Sequence, residues 1–85
     1  MSRFIGLPVK GVKKNAKGEP VAFKWHGVTY RGQVISIWRL SDRWWERETY
    51  SDRTYYRLMT ADYQVFDIYS ENTSRGLWVL HTIHD

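Results

Sequence analysis

Histidine is scarce in this chain, so chemistry is sought there first. His81 and His84 lie three residues apart. On a strand that spacing sends the two rings to opposite faces. Zinc requires converging ligands, and neither a cysteine nor an H-x-x-x-H spacing completes a set. His84, next to Asp85, reads as a frayed end. Glu46 and Glu48 share strand parity, but Arg43 and Arg47 surround them. Ordinary Arg–Glu pairing, about 0–1 kcal/mol at a surface, accounts for that grouping. A glycosidic carboxylate pair would also need a deep cleft, which so small a domain hardly encloses. The six glycines are scattered rather than grouped around a phosphate. Ser36, Ser41, Ser51, Ser70 and Ser74 sit in no nucleophile motif. No catalysis, no metal and no cofactor is expected.

Aromatic rings interleaved with guanidinium groups are the remaining candidate. Trp38-Arg39, Arg43-Trp44-Trp45, Arg47 and Tyr55-Tyr56-Arg57 set flat rings beside planar cations. Single-stranded nucleic acid is bound by such groups, bases stacking on rings while cations follow phosphates. The same residues also serve a bland purpose, because arginine stacks on tryptophan inside one protein and small β domains bury aromatics for want of other core material.

The bulk composition limits the scaffold that must hold these groups. With 85 residues there is one domain, 1–85, and no room for a second core. Five Trp, six Tyr and three Phe supply the large side chains that a small core depends on. Cysteine is absent, so neither disulfides nor thiolate metal sites contribute. MSRFIGLPVK has too short an apolar run for a signal peptide, and no run approaches the ~20 apolar residues of a membrane helix. A soluble cytoplasmic protein without membrane contact is expected. The net charge of +4 is uneven: residues 1–40 hold eight basic residues against Glu19 alone, whereas residues 41–85 hold five basic and eight acidic. The basic half suits a polyanion, or is a solvated lysine-rich hairpin.

Turn signals recur at short intervals: Gly6 with Pro8, Asn15 to Pro20, His26-Gly27, Ser41-Asp42, Ala61-Asp62 and Asn72 to Gly76. Between them lie runs rich in Val, Ile, Tyr, Phe and Trp, which reads as successive hairpins. VAFKWH alternates cleanly, with Val21, Phe23 and Trp25 on one face. A strand over Leu7 to Lys14 precedes it, joined by the NAKGEP turn, where Gly18 is free to take positive φ. The long run from Val28 to Leu40 slips in phase, since Val28, Tyr30 and Val34 share one parity and Ile35 and Ile37 the other. A bulge or bend near Gly32-Gln33 would reconcile them. Thr54 to Thr60, Tyr63 to Tyr69 and Leu77 to Ile83 complete the set. The expected fold is all-β, an antiparallel meander of about six strands rolled into a small open barrel or a compact sandwich. Its core comprises Val21, Phe23, Trp25, Tyr30, Ile35, Ile37, Leu58, Phe66, Ile68, Trp78 and Leu80.

SDRWWERETYSD then becomes a connection of about ten residues, long for a mere link. One of Trp44 and Trp45 is expected to plug the barrel end and the other to stay exposed for a partner.

P-V-A-F-K-W-H-G-V-T-Y (20 to 30), W-R (38 to 39), W-W (44 to 45), Y-Y-R (55 to 57) and G-L-W-V-L (76 to 80) together resemble DUF6504, a bacterial domain of unknown function found as short stand-alone proteins. The W-R, W-W and terminal I-x-D pattern also looks like the C-terminal module of the polymerase-like subunit of the bacterial mutasome. That subunit resembles Y-family polymerases, lacks their catalytic residues and organises partners for translesion synthesis. The resemblance implies a compact accessory module linked to DNA repair. Two functions are therefore expected as alternatives. One is non-enzymatic docking of a protein partner through the aromatic loop. The other is single-stranded nucleic-acid binding across the basic N-terminal half and the arginine-aromatic edge; for either ligand the expected site residues are Trp38, Arg39, Arg43, Trp44, Trp45, Arg47 and Arg57. Nothing in the sequence speaks to oligomeric state.

Overall fold

A computed structural model describes residues 2–43, 50–71 and 77–84, with side chains throughout except at 41–43, 50 and 51. These residues form an all-β chain, as the punctuated apolar runs predict. In order the strands are β1 (Ser2–Pro8), β2 (Lys10–Lys14), β3 (Pro20–Trp25), β4 (Val28–Arg43), β5 (Tyr50–Thr60), β6 (Val65–Glu71) and β7 (Trp78–His84). They pair antiparallel in the order β1-β7-β6-β5-β4-β3-β2. β1 and β2 therefore occupy the two edges, yet Val9 alone joins them. The sheet has to curl until its edges approach, and the result is an open half-barrel. Val9 is buried at this corner and donates its N–H to the Trp78 carbonyl at 3.0 Å. The single strand expected over Leu7 to Lys14 is thus split, and seven strands replace six. A run that serves both edges of a curled sheet needs a corner.

The NAKGEP turn forms with Gly18 at φ 79° and Pro20 as the first residue of β3, where its missing N–H breaks no central pairing. Asn15 fastens it: Oδ1 accepts from the N–H of Lys17 (2.9 Å) and of Glu19 (3.0 Å).

The phase slip in β4 is real and falls slightly later than expected. Val34 pairs with Leu58 and Ser36 with Arg57, which leaves Ile35 as the extra residue of a bulge. Gly32 is required for another reason. A Cβ there would stand 2.6 Å from the Met59 carbonyl oxygen on β5, too close for any side chain. Gly32→Ala is expected to lower stability by about 2 kcal/mol as the two strands are forced apart. The urea midpoint at unchanged slope measures it, and a variant as stable as wild type would show that β5 yields at that point.

Cα partners across antiparallel strands share a face, so the register sorts the side chains. The enclosed face collects Val9, Phe23, Leu58, Phe66, Ile68, Trp78, Leu80 and Ile83, with Trp25, Tyr30, Val34 and Tyr56 packed against them. The outer face carries a second cluster of Tyr55, Tyr69 and Val79 with Trp38. A buried aliphatic or phenyl side chain contributes about 1.5–3 kcal/mol. Two expected core residues are not there: Ile35 and Ile37 are 47% and 50% exposed. Ile35 is the bulge residue, and Ile37 lies where β4 has run past β3. Val21 is only partly buried, while Ala22 beside it is buried. No helix among the described residues is long and apolar enough to cross a membrane.

Candidate functional site

Much of SDRWWERETYSD proves to be strand rather than connection. β4 continues to Arg43 and β5 begins at Tyr50, these two residues facing each other across the ladder. Trp44, Trp45 and Arg47, between them in sequence, lie outside the described residues, as does the side chain of Arg43. β3 accompanies β4 only from Val28 to Arg31. From there on β4 has a neighbour on one side only among the described residues, β5, while β5 keeps β6 beside it from Arg53 to Met59; the β4–β5 arm is thus an edge of the sheet that projects beyond it only past Arg53. Ile35, Ile37 and Leu40 lie about half exposed along this arm.

Two arginines of the aromatic-basic pattern, Arg39 and Arg57, each hold a carboxylate. Arg39 Nε donates to Asp52 Oδ1 at 2.8 Å, and Nη2 donates to Oδ2. Arg57 Nε and Nη2 donate to Asp67 Oδ1 and Oδ2 at 2.8 and 3.1 Å. Arg53, which the sequence reading passed over, reaches Glu71 Oε1 at 2.5 Å. Asp52 and Asp67 are both buried, so each requires a charged partner. Rings complete the pattern: Trp38 stacks on Tyr55 at 5.3 Å with the planes 5° apart. The Arg57 guanidinium lies 5.3 Å from the Trp38 ring, and that of Arg53 4.6 Å from Tyr69. Trp38 and Arg57 are thereby brought together on the outer face of the sheet, whereas Arg39, next to Trp38 on β4 and opposite Thr54, lies on the other face. The pairing of Arg57 with Asp67 raises the guanidinium further above its ordinary value. Burial pushes the Asp67 carboxyl up, but hydrogen bonds from Arg57 and His84 outweigh it and hold the group below the usual carboxylate range.

The histidines depart from expectation. β7 carries a register shift between its Leu80 and Thr82 pairs, which leaves His81 as an extra residue. His81 then packs edge-on against Tyr55 (5.3 Å) and Phe4 (5.1 Å), and burial pushes its pKa down. His84 is not frayed: Nε2 donates to Asp67 Oδ2 at 2.8 Å and Nδ1 hydrogen-bonds Ser2 Oγ at 2.8 Å. Both rings meet the same side of the sheet, since Tyr55 and Arg57, and likewise Tyr69 and Asp67, are two apart on their strands. Among the described residues no three His, Asp or Glu side chains are grouped to hold a metal.

Asp52, Asp67, Glu71 and Arg53 were invisible as a set because their pairing depends on cross-strand register. The even spacing of Tyr50, Asp52, Thr54 and Tyr56 was the one available sign that β5 starts early. No curated protein and no solved structure matches the chain. A family model described as a domain of unknown function, DUF6504, matches residues 1–85 from end to end, and the chain belongs to that family.

Proposed function

We propose that this chain is a non-enzymatic interaction module that docks a protein partner along the β4–β5 arm. Its support is the edge of β4 from Gly32 onward. No strand lies beside that edge among the described residues, and Ile35, Ile37 and Leu40 are exposed along it. A long apolar edge is a template for strand addition: main-chain hydrogen bonds supply affinity, and contacts to alternate side chains supply specificity. Trp44 and Trp45 follow Arg43 directly and are the residue type that most often anchors an interface. The partner suited to this edge is an extended segment with apolar side chains at alternate positions. Arg39 and Arg57 already hold buried aspartates, so a phosphate strand would have to compete with Asp52 and Asp67; this favours protein over nucleic acid at the arm. A place in DNA repair or translesion synthesis follows from the family resemblance alone. The lack of cysteine fits a cytoplasmic setting.

The double variant Ile37→Lys/Leu40→Lys is expected to stay folded, because both side chains are about half exposed, and to recover at least tenfold less partner from native extract. Trp44→Ala and Trp45→Ala are expected to weaken recovery as well. With the partner bound, amide exchange along β4 should slow in alternate residues. Folded variants that keep every partner, with β4 exchange unchanged, would reduce the arm to scaffold.

A further inference from the structure

The face of β2, β3 and β4 that looks away from the core gathers cations and leaves them without carboxylates. Phe23 and Tyr30 are cross-strand partners on the enclosed face, so the alternate residues Ala22 and Lys24 point outward. Lys13 and Arg31 are the partners of Ala22, and Lys10 is the partner of Lys24. Partners share a face, so Lys10, Lys13, Lys24 and Arg31 stand in two rows about 7 Å apart across three strands. All four are exposed, and none makes an ion pair among the described residues. Elsewhere the outer face of this sheet neutralises its arginines, setting Arg53 opposite Glu71 and Arg57 opposite Asp67. Here Lys10 stands opposite Lys24, and like charges so placed are destabilising. Glu19, the one acid in residues 1–40, does not relieve them; Asn15 Nδ2 donates to its Oε1 at 3.0 Å within the turn. A sequence breaks such a local rule chiefly where function requires it.

We infer that this face binds the phosphate backbone of a nucleic acid. A nucleic acid carries a negative charge at every nucleotide, so it meets the four cations wherever along its length it lies. An acidic peptide meets them only where its sequence sets carboxylates in matching rows. A lipid surface is the poorer fit, because the rest of the two rows, buried Ala22 and polar Thr29, offers no exposed apolar side chain to enter it. Three lysines supply attraction as point charges, and Arg31 adds a planar fork that grips a phosphate with two parallel hydrogen bonds. Contacts of this kind position a backbone without reading bases. The inference does not rest on the docking reading, whose exposed residues lie beyond Arg31 along β4.

The test is fluorescence anisotropy with a short labelled oligothymidylate and a duplex of equal length, each titrated at several salt concentrations. With four phosphates neutralised, log affinity should fall against log salt with a slope of about −2.8 for the single strand and about −3.6 for the duplex. Lys24→Gln/Arg31→Gln should stay folded, since both side chains are exposed, and should make the single-strand slope shallower by about 1.4. Lys14→Gln/Lys17→Gln removes the same charge from elsewhere: Lys14 Nζ lies 5.7 Å from the Trp78 ring, and Lys17 sits in the turn that Asn15 fastens. That variant should keep the wild-type slope. Binding of both probes identifies a site for any phosphate backbone, and binding of oligothymidylate alone identifies one for an unpaired strand. Three outcomes overturn the proposal: neither probe bound at low salt, the two double variants equal in slope, or polyglutamate or phosphatidylserine vesicles bound as tightly as the oligonucleotides.

Discussion

Phe23→Ala is expected to destabilise the protein by about 3–5 kcal/mol, enough to lower its melting temperature by roughly 15–30 °C. Phe23 is 1% exposed in the enclosed face of the sheet. It stacks on Tyr30 at 5.4 Å and meets Phe66 edge-on at 5.5 Å, so three strands converge on one ring. Truncation removes the transferred apolar area and also leaves a void that a curled sheet cannot close without breaking its ladder. An 85-residue domain has a total stability of about 4–13 kcal/mol, so the variant loses a large share of it. Guanidinium unfolding followed by near-ultraviolet circular dichroism measures the change. A loss under about 1 kcal/mol would mean that the core is centred elsewhere.

Asp67→Ala is expected to remove about 2 kcal/mol, and with it part of the acid dependence of stability. The Asp67 carboxylate is buried on the outer face and takes hydrogen bonds from Arg57 and His84. Breaking a fully buried ion pair typically costs about 3–5 kcal/mol; the figure is reduced here because the Arg57 side chain, 38% exposed, turns to water when released. The folded carboxyl has a lowered pKa, so its contribution is complete above the unfolded value of about 3.9. As pH falls through the folded value the contribution is lost, because the native state must then take up a proton it resisted. Asp67→Asn should therefore flatten the acid limb of the stability curve while leaving the neutral-pH backbone structure in place. An acid limb identical to wild type would show that another carboxylate controls it.

The fold class could be read from the chain because each strand carries its own signal. VAFKWH alternates within six residues, and NAKGEP contains both the glycine and the asparagine that its turn uses. What escaped were features set by non-local register. Ile35 and Ile37 look like core by parity, and only the pairing of β4 with β5 reveals that one is a bulge residue and the other stands beyond the end of β3. The corner at Val9 follows from which strands become edges, a fact no local window contains. The candidate site divides in the same way. Trp38, Arg39 and Arg57 were identifiable as types, but Asp52 and Asp67, which hold the two arginines, are set against them by the sheet.

The corner at Val9 also governs the time course of folding. The β4–β5, β5–β6 and β6–β7 ladders join neighbours along the chain, whereas β1 pairs with β7, Ser2 opposite His84. Loop-closure entropy grows with the logarithm of separation, so the hairpins zip first and β1 docks last. Folds dominated by such distant contacts mature in milliseconds to seconds. On the ribosome the wait is longer, because β1 emerges first and β7 follows after roughly 4–15 s at 5–20 residues per second. Phe4, Ile5 and Leu7 spend that interval as an apolar strand with no neighbour, and Arg3 and Lys10 stand at its two ends as the charges that discourage other nascent chains from pairing there.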